Sequence, residues 1–273
     1  MYDAQLECVS QALQGKYSDF TAVDIGANVG DTAAAISAHR DVPVLCLEAD
    51  PGYLPYLRRN AKTIGAHIVL EESYIGESSR LLSPCQLQRT VGTTSAAGAL
   101  RGGGGEQRMP NDKGAISVRR LEDVLKQHAL FANAKLIKSD TDGFDFNIII
   151  SHADLLSWMK PVVYFEYTVD SVESAERAAE CIKALVRSGY VDFTLFDNYG
   201  SMMGVYDAAD FADLNHYLLS NAYCGRAVYY CDVLAATAGD VDVALTVRET
   251  MHARLSRRIG SREVQRVAGA ENV

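Results

Sequence analysis

The sequence has no long apolar run and no excess of basic charge. No stretch of about 18 consecutive apolar residues occurs, so nothing predicts a membrane-spanning helix. Lysine and arginine number 26 against 35 acidic residues, and the formal net charge is −9. Since surfaces that bind nucleic acid are normally basic, this balance argues against such a partner. We therefore expect neither a membrane nor a nucleic-acid partner.

Cysteine motifs and a secretory signal are also missing. The six cysteines form no C-x-x-C pair and have no nearby histidine, so they predict neither a zinc site nor a disulfide scaffold. The N-terminal segment carries Asp3 and Glu7 and lacks the apolar core of a signal peptide. These features favour a reducing compartment, and we expect a cytoplasmic protein.

Two common catalytic motifs do not occur either. There is no G-x-S-x-G and no P-loop, so acyl and phosphoryl transfer have no support. What the chain does have is 273 residues, 48% of them hydrophobic, which is enough for one large core. We predict a single domain over residues 1–273.

A strand, a glycine turn and a helix follow one another at residues 22–31, AVDIGANVGD. This shape lays backbone N–H groups and a helix N-terminus against a nucleotide-like ligand. Gly26 and Gly30 let the main chain approach closely, while Asn28 stands where the dinucleotide fingerprint G-x-G-x-x-G has a glycine. Asn28 offers an amide to a polar ligand group. A plain tight turn between strand and helix is the alternative.

Further short apolar runs alternate with helical patterns along the chain. We predict strands at 43–48, 67–70, 134–138, 161–166, 192–196 and 227–231. Strands that alternate with helices indicate a mainly parallel sheet covered on both faces, with ligands at the carboxyl ends of the strands.

Two segments stand apart from this alternation. Residues 83–117 have loop composition, with Gly102 to Gly105 in a row, and predict either a surface insertion or a lid over a substrate pocket. Residues 241–259 predict an amphipathic helix. Its second face carries Arg248, Arg254, Arg257 and Arg258. That face indicates a solvated surface or a contact between subunits, which leaves a homo-oligomer as one alternative.

Carboxylates follow several of the predicted strands. They are Asp24, Glu48, Asp140, Asp142, Glu166 and Asp197. Glu48, after the second strand, is placed to accept both hydroxyls of a ribose, with an exposed strand-end glutamate as the alternative. Asp24 is placed to accept from the N–H groups of the glycine turn or from a ligand ammonium. The alternative is a purely structural role.

Lys138, Asp140 and Asp142 surround the end of the fourth predicted strand. Alternation along the strand puts Lys138 and Asp140 on the same face. Two close carboxylates suit a general base, through a raised pKa, or a divalent ion. No spacing is diagnostic of a metal, so we do not favour a metal site.

Five short motifs in order make the chain resemble the FkbM family of S-adenosylmethionine-dependent methyltransferases. They are VDIGANVGD at 23–31, LEADP at 47–51, LEDVL at 121–125, LIKSDTDGFD at 136–145 and PVVYFEY at 161–167. The family's K-x-D-x-E-G stands here as K-S-D-T-D-G at 138–143, with Asp142 in place of the glutamate.

The resemblance implies a Rossmann-like class I methyltransferase fold, whose seven-stranded sheet ends in an antiparallel strand. It implies O-methylation of a hydroxyl on a sugar, glycan or natural-product acceptor, with S-adenosylmethionine as methyl donor. The residues expected to bind the cofactor are Asp24, Gly26, Asn28, Gly30, Glu48, Tyr74 and Asp140. The residues expected at the reaction centre are Asp140, as first choice for the base, then Asp142 and Glu166, together with Lys138.

Two other functions stay open on the sequence. One is a nicotinamide-dependent oxidoreductase, which the missing middle glycine disfavours. The other is a binding module that kept the fold and lost catalysis.

Overall fold

The computed structural model describes residues 4–82, 88–90, 93–95 and 115–270. The strands are β1 (Ala22–Ile25), β2 (Val44–Leu47), β3 (Ile68–Glu71), β4 (Ser73–Ile75), β5 (Arg80–Leu82), β6 (Gln88–Thr90), β7 (Thr93–Ser95), β8 (Ile116–Arg119), β9 (Leu136–Ser139), β10 (Val162–Thr168), β11 (Tyr190–Phe196), β12 (Met202–Tyr206) and β13 (Tyr230–Thr237). The helices are α1 (Ala4–Lys16), α2 (Asp31–Ile36), α3 (Leu54–Ile64), α4 (Leu121–Gln127), α5 (Asp145–Ser151), α6 (Ala153–Met159), α7 (Val172–Arg187), α8 (Phe211–Tyr223) and α9 (Val241–Ala270), with a 3₁₀ turn at Ala129–Phe131.

An eight-stranded sheet forms the centre of the molecule, in the order β12-β11-β13-β10-β9-β1-β2-β3. The strands from β3 to β10 in this order pair in parallel, whereas β13 is antiparallel to both β10 and β11. The chain runs outward from β1 through β2 to β3 and then returns to the other side of β1 as β9. This reversal makes the carboxyl ends of the neighbouring strands β1 and β9 a topological switch point, where α/β proteins bind their ligands.

The buried strands explain why this sheet forms. Every residue of β1, β2 and β9 is buried, as expected for parallel strands covered on both faces. Alternate residues feed two hydrophobic clusters: Val23 and Ile137 belong to one, and Ala22 and Leu136 to the other. The predicted α/β class with a mostly parallel sheet is therefore confirmed.

The prediction of seven strands in the main sheet is wrong by one strand. β12 pairs antiparallel with β11 and adds an edge strand beyond it. The seventh predicted strand, at 227–231, is also misplaced, because the observed strand is Tyr230–Thr237. Its second half contains alanines, which have weak strand propensity, and this composition hid the strand.

The predicted insertion at 83–117 lies mostly outside the described residues. Inside it, β6 and β7 form an antiparallel pair. Near its end, β8 begins at Ile116, inside the predicted insertion, and forms a small second sheet with β4 and β5. The choice between a surface insertion and a lid stays untested.

The C-terminal helix is longer than predicted, and two of its arginines form ion pairs within the protein. It runs over Val241–Ala270 instead of ending at residue 259. Arg248 binds Asp192 at 2.8 Å, and Arg254 binds Glu7 at 3.0 Å, so at these two positions the arginine face packs against the protein rather than facing solvent. No helix among the residues that the structure describes is long and apolar enough to cross a membrane.

Candidate active site

A cleft lies at the carboxyl ends of β1, β2 and β9, at the switch point of the sheet. About 540 Å³ of empty space, part of it open to solvent, lies between its walls. The residues that line it are Ile25, Gly26, Asn28, Leu47, Glu48, Tyr53, Ser73, Tyr74, Ile75, Asp140, Thr141, Asp142 and Phe144. Most of the predicted site residues are therefore brought together in one place.

The glycine turn is held in a conformation that glycine makes accessible. Gly26, Asn28 and Gly30 all have positive φ, at 78°, 47° and 89°. The N–H groups of Gly26 and Ala27 both donate to the carbonyl of Leu47, at 3.0 and 3.1 Å. A Cβ at position 26 would lie 1.9 Å from the carbonyl oxygen of Asp140. Residue 26 must be glycine because the backbones of the turn and of the segment after β9 touch there.

Backbone donors hold the Glu48 carboxylate inside the cleft. Its Oε1 accepts from the N–H groups of Ala49 and Asp50, both at 2.7 Å, and its Oε2 accepts from the N–H of Asn28 at 3.0 Å. Burial raises the pKa of Glu48, and these three donors oppose the rise. The side chain is only 6% exposed. Because its oxygens have lone pairs left beside these bonds, Glu48 is oriented to accept further hydrogen bonds from a ligand.

Lys138 is buried between two carboxylates and the glycine turn. Its Nζ lies 3.2 Å from Oδ1 of Asp24 and 3.6 Å from Oδ2 of Asp140, and it donates to the carbonyl of Gly26 at 3.3 Å. The prediction that Lys138 and Asp140 share a face is confirmed. Asp24 is fully buried and does not line the cleft. Its pKa is raised by burial, against the opposing effect of Lys138.

Asp142 stands at the rim of the cleft in a left-handed conformation, with φ of 51°. Partial desolvation and the neighbouring charge of Asp140 raise the pKa of Asp142 to about 6. A carboxylate with such a pKa is ionised at neutral pH and still basic enough to take up a proton.

Glu166 is not among the residues that line the cleft. It sits opposite Asp232 in the β10–β13 pair. Burial and the charges of Asp140 and Asp145 raise the pKa of Glu166 well above its usual range. Glu166 therefore differs from Asp140 and Asp142, which both line the cleft.

Two neighbouring acidic residues were missed by the sequence reasoning. Asp145 is 2% exposed, accepts from the Ser139 hydroxyl at 2.6 Å, and has its pKa raised to about 6, above all by burial. It belongs to the motif at 136–145, which could have pointed to it. Asp232 was missed although it directly follows the predicted strand at 227–231; it lies inside the observed strand Tyr230–Thr237.

Aromatic and apolar side chains form the rest of the lining. Tyr74, which is expected to bind the cofactor, lies in β4 and lines the cleft, and Tyr53, which was not predicted, lies there too. Tyr53 comes just before α3, and no pattern distinguishes it from an ordinary turn residue. Within the described part of the chain, no group of three or more His, Cys, Asp or Glu side chains is arranged to hold a metal ion.

Solved structures show only weak likeness to this chain. A methyltransferase FkbM from Methylobacillus flagellatus is 14% identical with a TM-score of 0.41; the match covers 79% of this chain and 44% of that one. A putative O-methyltransferase from Klebsiella pneumoniae is 12% identical with a TM-score of 0.44, covering 87% and 81%. Fibrillarin from Aeropyrum pernix, in complex with S-adenosyl-L-methionine, is 10% identical with a TM-score of 0.42, covering 80% and 66%.

The comparison of sequences is more decisive. No curated protein shows significant similarity to the chain. The methyltransferase FkbM domain, in contrast, matches residues 24–203, about two thirds of the sequence. That span begins at the glycine turn and includes Glu48, Lys138 and Asp142. The chain belongs to the FkbM methyltransferase family.

Proposed function

We propose that this protein is an S-adenosylmethionine-dependent methyltransferase that methylates a hydroxyl on a sugar, glycan or natural-product acceptor. The observation that carries the proposal is the Glu48 carboxylate. Three backbone N–H groups orient it in the cleft, and one of them belongs to Asn28 of the glycine turn. A carboxylate fixed in this way is suited to a ribose, since it can accept from two adjacent hydroxyls.

The rest of the cleft fits the other parts of such a cofactor. Tyr74, Ile75 and Phe144 provide an apolar and aromatic wall for a planar base. Asp140 and Asp142 line the same cleft and add negative charge, which favours a cation such as the sulfonium group. The residues present therefore fit the proposed methyl donor.

The reaction requires the protein to position the acceptor and to accept one proton from it. When bound, S-adenosylmethionine supplies an electrophilic methyl group on a sulfonium. The acceptor oxygen must be held in line with that methyl group, and such positioning alone accounts for a large share of a rate enhancement. A base must also take the hydroxyl proton, which adds roughly 10²- to 10⁴-fold.

Among the carboxylates of the cleft, Asp142 is the best placed to act as this base. The sequence favoured Asp140, but Asp140 lies 3.6 Å from the Lys138 ammonium. One oxygen of Asp140 is therefore already engaged by a cation. The pKa of Asp142, raised to about 6, is closer to neutral pH, where a general base works best. Glu166 lies outside the cleft lining.

Methyl transfer from labelled S-adenosylmethionine to a panel of sugars and glycosylated metabolites tests the proposal. We expect the wild type to label at least one acceptor, with kcat/KM rising with pH through about 6 as Asp142 loses its proton. Asp142→Asn should lower kcat about 100-fold and change the affinity for S-adenosylhomocysteine by no more than a few-fold. Wild-type protein that binds the cofactor and methylates no acceptor would favour an inactive binding module.

A further inference from the structure

The ammonium group of Lys138 occupies an unusual place for a lysine of an active site. The residue is 3% exposed, and it does not line the cleft. A side chain placed in this way is enclosed beneath the cleft and does not face an acceptor. Its effect on the reaction must pass through the groups that it touches.

Those groups belong to three separate parts of the chain. Asp24 lies in β1, Gly26 begins the glycine turn, and Asp140 follows β9; the Lys138 Nζ is within 3.6 Å of an oxygen of each. β1 and β9 are neighbours in the sheet, with Asp24 directly opposite Lys138. The Lys138 ammonium therefore links β1 and the segment after β9 to the glycine turn.

The contact with the Gly26 carbonyl matters most. The turn has its own support, because the N–H groups of Gly26 and Ala27 donate to Leu47 and that of Asn28 donates to Glu48. All of these bonds tie the turn toward β2. On the β9 side, the Lys138 bond to the Gly26 carbonyl provides a side-chain tie, next to the close approach between Gly26 and the Asp140 carbonyl.

We propose that Lys138 is a positioning residue, which holds the glycine turn in its ligand-binding conformation by donating to the Gly26 carbonyl while Asp24 and Asp140 fix its ammonium. The proposal rests on the function proposed above in one respect, that the turn binds S-adenosylmethionine. The alternative is that Lys138 only neutralises the buried charge of Asp24. Both roles predict that removing the lysine destabilises the protein, so stability alone does not separate them.

A double-mutant cycle separates the two roles. The variants are Lys138→Met, Asp24→Asn and the double variant, each titrated with S-adenosylhomocysteine by calorimetry well below its melting temperature. If Lys138 holds the turn, replacing it weakens binding about tenfold or more even when Asp24 is already Asn. If it only neutralises Asp24, replacing it in the Asn background changes the affinity less than twofold, and the proposal is overturned. The double variant lacks both charges, so it folds even if Lys138→Met alone does not.

Hydrogen exchange without any ligand provides the second arm. In the double variant we expect the amides of the turn, residues 26–30, to exchange about tenfold faster than in Asp24→Asn. Unchanged exchange would overturn the proposal even if the protein binds a different cofactor. If wild-type protein does not bind S-adenosylhomocysteine but exchange behaves as expected, the proposed function fails and the positioning role stands.

A matched control comes from a second ion pair with low exposure. Arg248 and Asp192 are 13% and 11% exposed at their side chains, and Arg248 lies in the C-terminal helix. Arg248→Met should lower the melting temperature. It should leave both the affinity for S-adenosylhomocysteine and the exchange of residues 26–30 at wild-type values.

Discussion

Single residues decide the shape of the cleft, and Gly26 is the clearest case. Its positive φ alone would make a side chain costly, and a Cβ would also come within 1.9 Å of the Asp140 carbonyl oxygen. The Asp140 N–H donates to the carbonyl of Ile25 at 3.0 Å, which holds this segment close to the turn. The requirement for glycine therefore has two independent causes.

Comparing two glycine substitutions separates these causes. Gly189 has φ of 95° and open space around it, so Gly189→Ala should cost roughly 1–2 kcal/mol of unfolding free energy from backbone strain alone. Gly26→Ala adds the clash and should cost about 3 kcal/mol or more. Urea denaturation of both variants provides the measurement. Equal losses would show that the turn can move away from Asp140.

At the scale of elements, the sequence predicted the strands that surround the cleft better than the outer ones. β1 and β2 are short and largely apolar, and β1, β2 and β9 are each followed by a turn with Gly, Pro or Asp, so their type was visible and their ends were predicted to within two residues. β12 was missed although Met202–Tyr206 is largely apolar, and its residues alternate between intermediate and higher exposure at the sheet edge. Its pairing with β11 defines it as a strand.

The carboxylates of the site show the same limit. The sequence placed Glu48, Asp140 and Asp142 at strand ends, and all three line the cleft. It could not show that Lys138 pairs with Asp140, which changes the favoured base to Asp142. Such pairing depends on how deeply each side chain is buried, and the spacing of residues in the sequence does not show this.

The C-terminal helix changes character along its length. Ala244 and Val247 are fully buried, whereas Leu255 and Ile259 are 57% and 50% exposed. The predicted apolar stripe therefore packs on the body of the protein only in its first part. A homo-oligomer formed through this helix stays a prediction.

The buried part of this helix is also held by charge. Arg248 donates to both oxygens of Asp192, at 2.8 and 3.0 Å, and to the Thr194 hydroxyl at 2.8 Å. We expect Arg248→Met to lower the unfolding free energy by about 2–3 kcal/mol, since it leaves the Asp192 carboxylate with low exposure and without its cation. Arg177→Met breaks an exposed pair with Glu180 and should change stability by less than about 0.5 kcal/mol. Similar losses in the two variants would contradict this account.

At the scale of the whole molecule, acidic residues are concentrated around the cleft at the carboxyl ends of the central strands. The pKa is raised, first of all by burial, for each of the carboxyl groups Asp24, Glu48, Asp142, Asp145 and Glu166. For Asp142 and Asp145 the pKa is raised to about 6, so these two groups take up protons as the pH falls toward 5 and become ionised as it rises toward 7.5. A ligand that brings positive charge should therefore bind better at the higher pH.

This charge predicts how the protein distinguishes the proposed methyl donor from its demethylated product. S-adenosylmethionine carries the sulfonium charge, and S-adenosylhomocysteine does not. We expect the ratio of their dissociation constants to shift in favour of S-adenosylmethionine by about threefold or more between pH 5 and pH 7.5, with the change centred near the pKa of about 6 of Asp142. Higher salt should reduce the shift at this partly exposed group. A ratio independent of pH would show that the carboxylates do not interact with the sulfonium.

The central claim, that the cleft binds S-adenosylmethionine through Glu48, is tested most directly by one calorimetric experiment. Wild-type protein, Glu48→Gln and the surface control Glu72→Gln are titrated with S-adenosylhomocysteine and with NAD. We predict one site per chain for S-adenosylhomocysteine in the wild type and in Glu72→Gln, at least about tenfold weaker binding in Glu48→Gln, and no binding of NAD. Tight binding of NAD alone, or equal affinity for S-adenosylhomocysteine in all three proteins, would contradict the account.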